Sequence, residues 1–265
     1  MKRRELEQYL EDVDGFEKPK LLLEQYVTKP HIASCMIHTI ENVYGDINQK
    51  MILDLGCGCS VLGIGSALMG ASYVLGVDID HDALEIAKAN ISYTELTNVN
   101  FLQCDVRNLP QILNGQKFDT VIMNPPFGTK HNKGLDCLFV EIALQSVKEN
   151  GVVYSLHKTS TRDFFRRKST SWNTDSRVLA QLRYDLPATY KFHSRSSVDI
   201  EVDFWRFAKN STNWTKCHVL KPRKLQWGTL LHTIFYFLQH IVLLNRCLPL
   251  PLLKETGKSI KFEYL

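Results

Sequence analysis

The sequence lacks the long apolar segments that targeting and membrane insertion require. The N-terminus, Met1–Glu5, runs directly into a charged helical pattern, without the apolar core of a secretory signal. An apolar run at residues 230–244 spans 15 residues, short of the ~20 that cross a membrane, and is interrupted by His232, Gln239 and His240. We therefore expect no membrane association, and an amphipathic or loosely packed helix over this run.

The sequence also lacks a paired cysteine pattern. Its seven cysteines make an odd number, and only Cys57 and Cys59 are close enough to suggest a spacing motif. Because this C-x-C has no second ligand pair, we expect neither zinc nor any other metal. The thiols are expected to be reduced, as in the cytosol or the nucleus.

Acidic side chains become scarce in the second part of the chain. Residues 1–157 carry 13 basic and 20 acidic side chains, residues 158–207 carry 10 and 6, and residues 208–265 carry 9 and 2. The formal net charge of +4 therefore conceals an acidic first part and a basic second part. A surface for nucleic acid is to be sought after His157.

From residue 50 onward, short apolar runs alternate with helical patterns, as is typical of β-α units and a parallel sheet. The predicted strands are Met51–Leu55, Tyr73–Val77, Asn100–Cys104, Asp119–Met123, Gly151–Leu156, Val178–Leu186 and Val198–Phe207. The last one alternates strictly, which predicts an antiparallel strand with one solvated face. The predicted helices lie near His31–Tyr44, Val61–Met69, Asp82–Thr94, Leu138–Lys148 and Ser160–Lys168. Ahead of them, Leu6–Val13 and Leu21–Tyr26 are predicted to be helical or extended cover.

The chain is predicted to divide into three parts. Residues 1–50 form an N-terminal helical cover, residues 51–207 form the α/β domain, and residues 208–265 form a basic and apolar tail. The tail lacks regular apolar periodicity over residues 209–229. We expect it to stand apart from the core fold.

Three successive predicted strands end in residues suited to a ligand. The first ends in Asp54-Leu55-Gly56-Cys57-Gly58-Cys59, whose glycines permit a tight turn and close approach of the backbone. The third glycine of a dinucleotide fingerprint is missing, because Val61 fills its position, and this favours a nucleoside cofactor without phosphates. Asp78 is placed for ribose hydroxyls and Asp105 for an adenine amine. Asp54 would brace either the glycine turn or the cofactor's amino group.

Each of these aspartates alone would be an ordinary helix N-cap. Three at this spacing predict S-adenosylmethionine, with a structural or nicotinamide-binding role as the alternative.

The fourth strand stops at Asn124-Pro125-Pro126-Phe127, because neither proline can donate to a ladder. An exocyclic amine conjugated to a ring or carbonyl is a poor nucleophile, and it becomes reactive when acceptors hold its two hydrogens. The Asn124 side-chain oxygen and the Pro125 carbonyl can accept them, while Phe127 can stack on the substrate plane. An ordinary strand-to-loop turn is the alternative. Beside the cofactor motif, this segment predicts methyl transfer to a planar amine.

Basic and aromatic residues are interleaved after the fifth predicted strand. The basic candidates for RNA contact are Lys158, Arg162, Arg166, Arg167 and Lys191. The aromatic residues among them are Trp172, Tyr184, Tyr190, Phe192 and His193. This mixture suits phosphate contacts together with base stacking, and a solvated basic helix and loop is the alternative.

Five segments carry a close resemblance to a known family. They are Val13–Tyr26, Asp54–Cys59, Asn124–Lys130, Ser155–Lys158 and Arg183–Ala188. Over about residues 5–207 the chain resembles the methyltransferase-like protein 5 family, which installs N6-methyladenosine at one site in small-subunit ribosomal RNA. The resemblance implies a class I, Rossmann-like methyltransferase fold with a seven-stranded, mostly parallel sheet and an antiparallel last strand. It also implies S-adenosylmethionine as cofactor and an adenosine of 18S rRNA as substrate.

The resemblance also implies site residues and a partner. By the family's motifs, the cofactor would be bound by Gln25, Thr28, Gly56, Cys59, Val61, Asp78, Asp105 and Val106. The catalytic segment would be Asn124, Pro125, Pro126 and Phe127. A small zinc-binding activator subunit would complete a heterodimer by pairing with the edge strand at 100–104. The expected location is the nucleus, including the nucleolus, and the cytoplasm.

The chain departs from the family pattern at three places. Ser60 stands where a third glycine is usual, and a small residue is tolerated there unless the position needs a positive φ. Val27 stands where proline is common, and residues 208–265 match nothing in the family. The Asn-Pro-Pro-aromatic segment alone also fits a protein glutamine methyltransferase. A degenerate fold kept as an RNA-binding or ribosome-assembly subunit is the non-enzyme alternative, which the intact Asn124 and Asp78 disfavour.

Overall fold

The computed structural model describes residues 1–128, 132–187 and 197–209, without the side chains of 185–187 and 197–199. The tail beyond Lys209, with the helix expected over residues 230–244, lies outside the described residues, and so does Lys191. In the described part of the chain, no helix is long and apolar enough to cross a membrane.

Seven strands form one sheet in the order β3-β2-β1-β4-β5-β7-β6. They are β1 Met51–Leu55, β2 Tyr73–Asp78, β3 Val99–Gln103, β4 Phe118–Met123, β5 Val147–Lys158, β6 Thr174–Pro187 and β7 Ser197–Lys209. Strands β1 to β5 run parallel, and β7 is antiparallel to both β5 and β6. The seven-stranded, mostly parallel sheet with an antiparallel last strand is confirmed.

The helices cover both faces of the sheet. They are α1 Arg3–Glu11, α2 Pro30–Thr39, α3 Val61–Leu68, α4 His81–Thr94, α5 Leu109–Leu113, α6 Leu135–Ser146 and α7 Arg162–Ser171. Short 3₁₀ turns lie at Leu21–Leu23, Val106–Asn108 and Thr159–Thr161, and a π turn at Ile40–Tyr44 continues α2. The sequence had indicated one uninterrupted helix to Tyr44 and had given no sign of α5, which is only five residues long.

Two apolar cores lie on opposite faces of the sheet. One is formed with α1, α2 and α3 and includes Leu6, Ile37 and Ile64. The other is formed with α6 and α7 and includes Val140 and Phe165. Because helices cover both faces, β1 and β4 are buried almost throughout, which explains their continuous apolar sequences.

The solvated face expected for the last strand is wrong. β7 lies between β5 and β6, and its residues 202–205 are all buried. Phe204 belongs to one core and Trp205 to the other, so the alternating polar position, Asp203, faces the protein interior and not water. Among the described strands, the outermost are β3 on one side of the sheet and β6 on the other.

The chain runs outward from β1 to β3 and then returns to the opposite side of β1 as β4. In open α/β sheets, ligands bind at the carboxyl ends of the strands beside such a reversal. The site is therefore expected between the ends of β1 and β4, where the sequence has Gly56 and Asn124.

Candidate active site

The turn after β1 is built on two glycines in the left-handed region. Gly56 has φ +73° and Gly58 has φ +51°. The backbone N–H groups of Gly56 and Cys57 both donate to the Val77 carbonyl, at 2.8 and 3.0 Å, which ties the turn to the end of β2. A Cβ at Gly58 would lie 2.7 Å from the Phe16 ring, so this position requires glycine on two grounds.

Asp78 connects the glycine turn to the next helix. Its Oδ2 accepts from the Gly58 N–H at 2.8 Å, and its Oδ1 accepts from the Asp80 N–H at 2.9 Å. Burial raises the pKa of the carboxyl, because the charged form is desolvated. The carboxylate also lines the main cleft, where its remaining lone pairs can accept from ribose hydroxyls.

Asp54 is almost fully buried, and it braces the first turn of α3. Its Oδ2 accepts from the Gly63 N–H at 2.8 Å. Burial raises the pKa of this carboxyl to about 7. Of the two roles left open by the sequence, the hydrogen bond supports bracing of the glycine turn and helix.

Residues 16–28 form a strap across the carboxyl ends of the strands, and we call them the N-terminal strap. The Gln25 amide donates to Asp80 Oδ2 at 2.6 Å and accepts from the Lys20 N–H at 2.8 Å. The Lys20 ammonium binds both Asp80 and Asp82. These contacts fasten the strap to the start of α4.

The strap, the glycine turn and the ends of β2 to β4 enclose a cleft of about 890 Å³, including its open mouth. Of the predicted site residues, the structure brings Gln25, Gly56, Asp78, Asp105, Val106, Asn124 and Pro126 to this cleft. Thr28, Cys59 and Val61 line a smaller adjoining pocket, and Gly56 and Asn124 line both. This set of carboxylates, backbone turns and apolar walls can hold a nucleoside cofactor.

Several lining residues were missed by the sequence reasoning. Phe16 and Tyr26 from the strap, Asn132, and Phe139 from α6 all line the main cleft. Phe16 and Tyr26 lie in a segment that resembles the family, but no local pattern marks an aromatic residue as a pocket wall. Asn132 donates to the Leu22 carbonyl at 2.9 Å and to Glu24 at 3.0 Å, so it holds the strap in place.

The Asn124 amide is held from one side only. Its Nδ2 donates to Thr28 Oγ1 at 2.9 Å and to the Tyr184 hydroxyl at 3.2 Å. Its Oδ1 is buried and has no hydrogen-bond partner within the described residues. Native proteins pair nearly all such groups, so an unpartnered acceptor at a cleft indicates a binding function.

An aromatic cluster surrounds the rest of the catalytic segment. The Tyr26 ring stacks on Phe127 with a centroid distance of 5.1 Å, and its hydroxyl donates to the Pro125 carbonyl at 3.2 Å. The Tyr184 ring meets Phe127 edge-on at 6.2 Å. Phe127 is itself buried, and Tyr26 covers one face of its ring.

The described basic candidates for RNA contact differ in their surroundings. Arg166 and Arg167 are exposed on α7, and Lys158 is half-buried at the end of β5. Arg162, in contrast, is engaged within the protein. Its guanidinium is bound to the buried Asp203 carboxylate, at 2.6 Å through Nε and 2.5 Å through Nη2, so its role here is a structural ion pair.

The interleaved aromatic residues do not form an exposed stacking surface. Tyr184 is buried beside Asn124, and Trp172 is half-buried against Phe165 and Phe207. Tyr190, Phe192 and His193 lie outside the described residues. Among the described residues, no three His, Cys, Asp or Glu side chains are grouped closely enough to hold a metal ion.

Comparisons with known proteins agree with this geometry. A family model described as a methyltransferase domain matches residues 48–232. The rRNA N(6)-adenosine-methyltransferase METTL5 of Danio rerio is 55% identical over 207 residues, which are 78% of this chain and 99% of that protein. The corresponding protein of Drosophila melanogaster is 51% identical, over 78% of this chain and 96% of its own length. A crystal structure from Pyrococcus horikoshii, 30% identical, superposes with a TM-score of 0.68 and covers 79% of this chain and 97% of its own.

The fold and the cleft at its strand reversal, with these relatives, define a class I methyltransferase whose cofactor is S-adenosylmethionine. Within that class, the chain belongs to the methyltransferase-like protein 5 family.

Proposed function

We propose that this protein methylates N6 of an adenosine in 18S rRNA and works with a small zinc-binding activator subunit. The observation that carries the proposal is the Asn124 amide, which presents an unpartnered buried oxygen at the cofactor cleft. Relatives named as rRNA N6-adenosine methyltransferases are 43% to 55% identical over at least three quarters of the chain, and they support adenosine as the acceptor.

The proposed cofactor contacts use both pockets. Asp78 accepts from the ribose hydroxyls, and Asp105 with Val106 faces the adenine. Gly56, Cys59 and Val61 approach through the glycine turn and the start of α3, while Gln25 and Thr28 approach from the strap. S-adenosylmethionine supplies an electrophilic methyl group on its sulfonium.

The catalytic segment is proposed to activate the adenine amine by accepting hydrogen bonds. Asn124 Oδ1 and the Pro125 carbonyl accept its two hydrogens, which lets the nitrogen pyramidalise toward the methyl group. The nitrogen loses its proton only after the methyl group has been transferred, so no side chain need act as a strong base. Positioning and preorganised acceptors therefore supply most of the rate enhancement.

Substrate entry requires a local opening. Asn124 Oδ1 has almost no exposed surface, and Tyr26 both stacks on Phe127 and donates to the Pro125 carbonyl. The Tyr26 side chain thus makes two of the three contacts that the target base is proposed to make, the stacking on Phe127 and the hydrogen bond to the Pro125 carbonyl. We propose that Tyr26 swings away as the base enters, with the base then stacking on Phe127.

The experiment that tests the proposed function is methyl transfer from labelled cofactor to an 18S rRNA fragment, with a release factor as the protein acceptor. We expect label on the RNA with wild type and a loss of about 100-fold or more with Asn124→Ala, because one preorganised contact to the reacting group is removed. Asn42→Ala, an exposed change on the π turn that follows α2, is the matched control and should retain activity. Label on the release factor, or equal label with Asn124→Ala, would refute the proposal.

The RNA surface is proposed to include Arg166, Arg167 and Lys158, with Lys191 added from the sequence. Replacing Arg166 and Arg167 together by alanine should weaken RNA binding and make the negative slope of log K against log salt shallower by roughly 2, because two phosphate contacts are lost. The matched control replaces the adjacent arginines of α1, Arg3 and Arg4, by alanine. Equal changes in RNA binding for the α7 and the α1 double variants would show that α7 is not part of the RNA interface.

The activator is proposed to pair with the β3 edge, which is close to the predicted strand at 100–104. The Cys104 N–H and the Asn98 carbonyl bond to β2, so by alternation the N–H groups of Val99, Phe101 and Gln103 point outward. The exposed Ile79 and Ile112 add apolar surface outside the core. An unpaired edge of this kind can accept an added strand.

Gln103→Pro tests this edge because it deletes one outward N–H while leaving the pairing with β2 intact. We expect co-purification with the zinc-binding subunit to be lost, whereas Gln103→Ala, which keeps the N–H, retains it. Retention in both variants would refute the edge as the docking site.

We propose the nucleus, including the nucleolus, and the cytoplasm as the location, where rRNA is made and used.

A further inference from the structure

The two ends of a side-chain amide are nearly equal in shape but opposite in hydrogen bonding. The oxygen of Asn124 can accept a hydrogen from the substrate amine, whereas its NH₂ group, turned to the same place, would donate toward the nitrogen and oppose methyl transfer. The reaction therefore depends on which way this amide is rotated. The neighbouring contacts determine that rotation.

Tyr184 sets the direction of the hydrogen bonds around Asn124. Its hydroxyl donates its single proton to the Val27 carbonyl at 3.3 Å, so toward Asn124, 3.2 Å away, it can only accept. The group facing it must be Nδ2, whose second hydrogen goes to Thr28 Oγ1 at 2.9 Å. If the amide were flipped, its oxygen would face the Tyr184 hydroxyl, which could not donate to it because its proton is donated to the Val27 carbonyl.

The Tyr184 hydroxyl is rigidly placed for this purpose. The side chain is 1% exposed, and its ring packs edge-on against Tyr26 at 5.7 Å and Phe127 at 6.2 Å. Burial raises the pKa of the phenol to about 12, so the hydroxyl keeps the proton that it donates to Val27. Tyr184 stands on β6 and Thr28 at the end of the strap, so two separate elements hold one amide.

We propose that Tyr184 and Thr28 are positioning residues that fix the Asn124 amide with Oδ1 toward the transferable amine. The inference rests on the proposed function, in which that amine is the methyl acceptor. It gives the Arg183–Ala188 segment a role distinct from RNA stacking. It also accounts for the difference between the two ends of the Asn124 amide: Nδ2 has two partners, and Oδ1 has none among the described residues.

Tyr184→Phe keeps the ring and removes the hydroxyl. We expect kcat to fall about tenfold, while the KM values for RNA and cofactor change less than twofold, because orientation and not binding is lost. Tyr154→Phe is the matched control: it removes a buried hydroxyl bound to Asp46 at 2.7 Å, on a side chain outside both pockets. It should lower stability and leave kcat unchanged.

Two further variants separate positioning from general damage. Asn124→Asp makes the two ends of the side chain equivalent, so adding Tyr184→Phe to it should lower kcat less than twofold. Thr28→Ser keeps the hydroxyl and Thr28→Val removes it, so kcat should be clearly lower for Thr28→Val than for Thr28→Ser. A tenfold further loss in the Asn124→Asp background, or equal kcat for Thr28→Val and Thr28→Ser, would overturn the proposal.

A measurement independent of catalysis distinguishes this inference from the proposed function. The Asn124 side-chain NH₂ signals, assigned by their absence in Asn124→Ala, should exchange with solvent at least tenfold faster in Tyr184→Phe than in wild type. If wild type transfers no methyl group to RNA, the proposed function fails while faster exchange still supports the fixed amide. Unchanged exchange overturns the positioning role whatever the activity.

Discussion

Buried carboxylates in the two halves of the sheet have different kinds of hydrogen-bond partner. At the cofactor edge, Asp54 and Asp78 have backbone N–H groups as partners, from Gly63 and Gly58. On β7, Asp203 is fully buried and accepts from a charged guanidinium and from the Thr159 hydroxyl at 2.8 Å. Amide groups compensate the charges of Asp54 and Asp78 only partly, whereas the Arg162 guanidinium neutralises the charge of Asp203.

Between Asp78 and Asp203, this difference separates a carboxylate that faces a ligand cleft from one that holds the structure together. Burial raises the pKa of the Asp78 carboxyl although its amide hydrogen bonds lower it, and at the cleft this carboxylate keeps the capacity to accept from a ligand. A carboxylate in a two-point contact with Arg162 has no such capacity, and its ion pair joins α7 to β7. Burial alone does not identify a functional acid, because both kinds are buried.

Breaking the ion pair should give the largest effect on stability. Asp203→Ala removes the hydrogen bonds that the buried carboxylate accepts from Arg162 and Thr159, while Arg162 keeps its hydrogen bond to Gln181, so we expect the free energy of unfolding to fall by about 3 kcal/mol. Chemical denaturation followed by far-ultraviolet circular dichroism measures it. Asp163→Ala, an exposed acid on the same helix, is the control and should have no measurable effect. Equal stabilities for the two variants would contradict the structural role of Asp203.

The uncompensated charge of Asp54 should appear as a dependence of stability on pH. Its folded-state pKa of about 7 lies above the ordinary value of 3.8, so its stabilising contribution is complete below pH 3.8 and is lost as pH rises through 7. Asp54→Asn removes this dependence and keeps an acceptor for the Gly63 N–H. Relative to wild type, we expect the variant to gain about 2 kcal/mol between pH 5 and pH 8.

Denaturation curves of both proteins across this pH range measure the gain. A difference that stays constant with pH would show that the Asp54 charge is compensated in the folded protein, and the contrast with Asp203 would then fail.

Local sequence was sufficient for the first half of the sheet. Strands β1, β2 and β4 are short runs whose pattern reports burial directly, and their ends lead into Gly56, Asp78 and Asn124 at one edge. Parallel strands bring consecutive ends together, so the cleft follows from the order of motifs along the chain. The site residues Gln25 and Thr28 came only through family resemblance, because the strap has no periodic pattern.

The second half could not be predicted in the same way because its contacts join distant residues. The alternation of β7 indicates one polar face, but α7 covers that face and Arg162 neutralises Asp203 across 41 positions. Tyr184 likewise lies in a basic and aromatic stretch typical of RNA stacking. The fold instead places it against Asn124, which is 60 positions away in the sequence. Both errors concern polar groups whose partners are set by tertiary structure.

The smallest effect is expected from strain at the cofactor edge, at Ser60, where the family usually has glycine. The position does have a positive φ, because Ser60 has φ +68°, and its Oγ is buried with no hydrogen-bond partner among the described residues. Ser60→Gly relieves the left-handed strain and the unsatisfied hydroxyl, offset by the greater freedom of glycine in the unfolded chain, so stability should rise by about 1 kcal/mol. Ser66→Gly is the matched control, since its hydroxyl bonds to Leu62 inside α3, and it should lower stability by about 1 kcal/mol. Thermal denaturation of the three proteins decides it: a lower midpoint for Ser60→Gly than for wild type would mean that the glycine turn carries no strain.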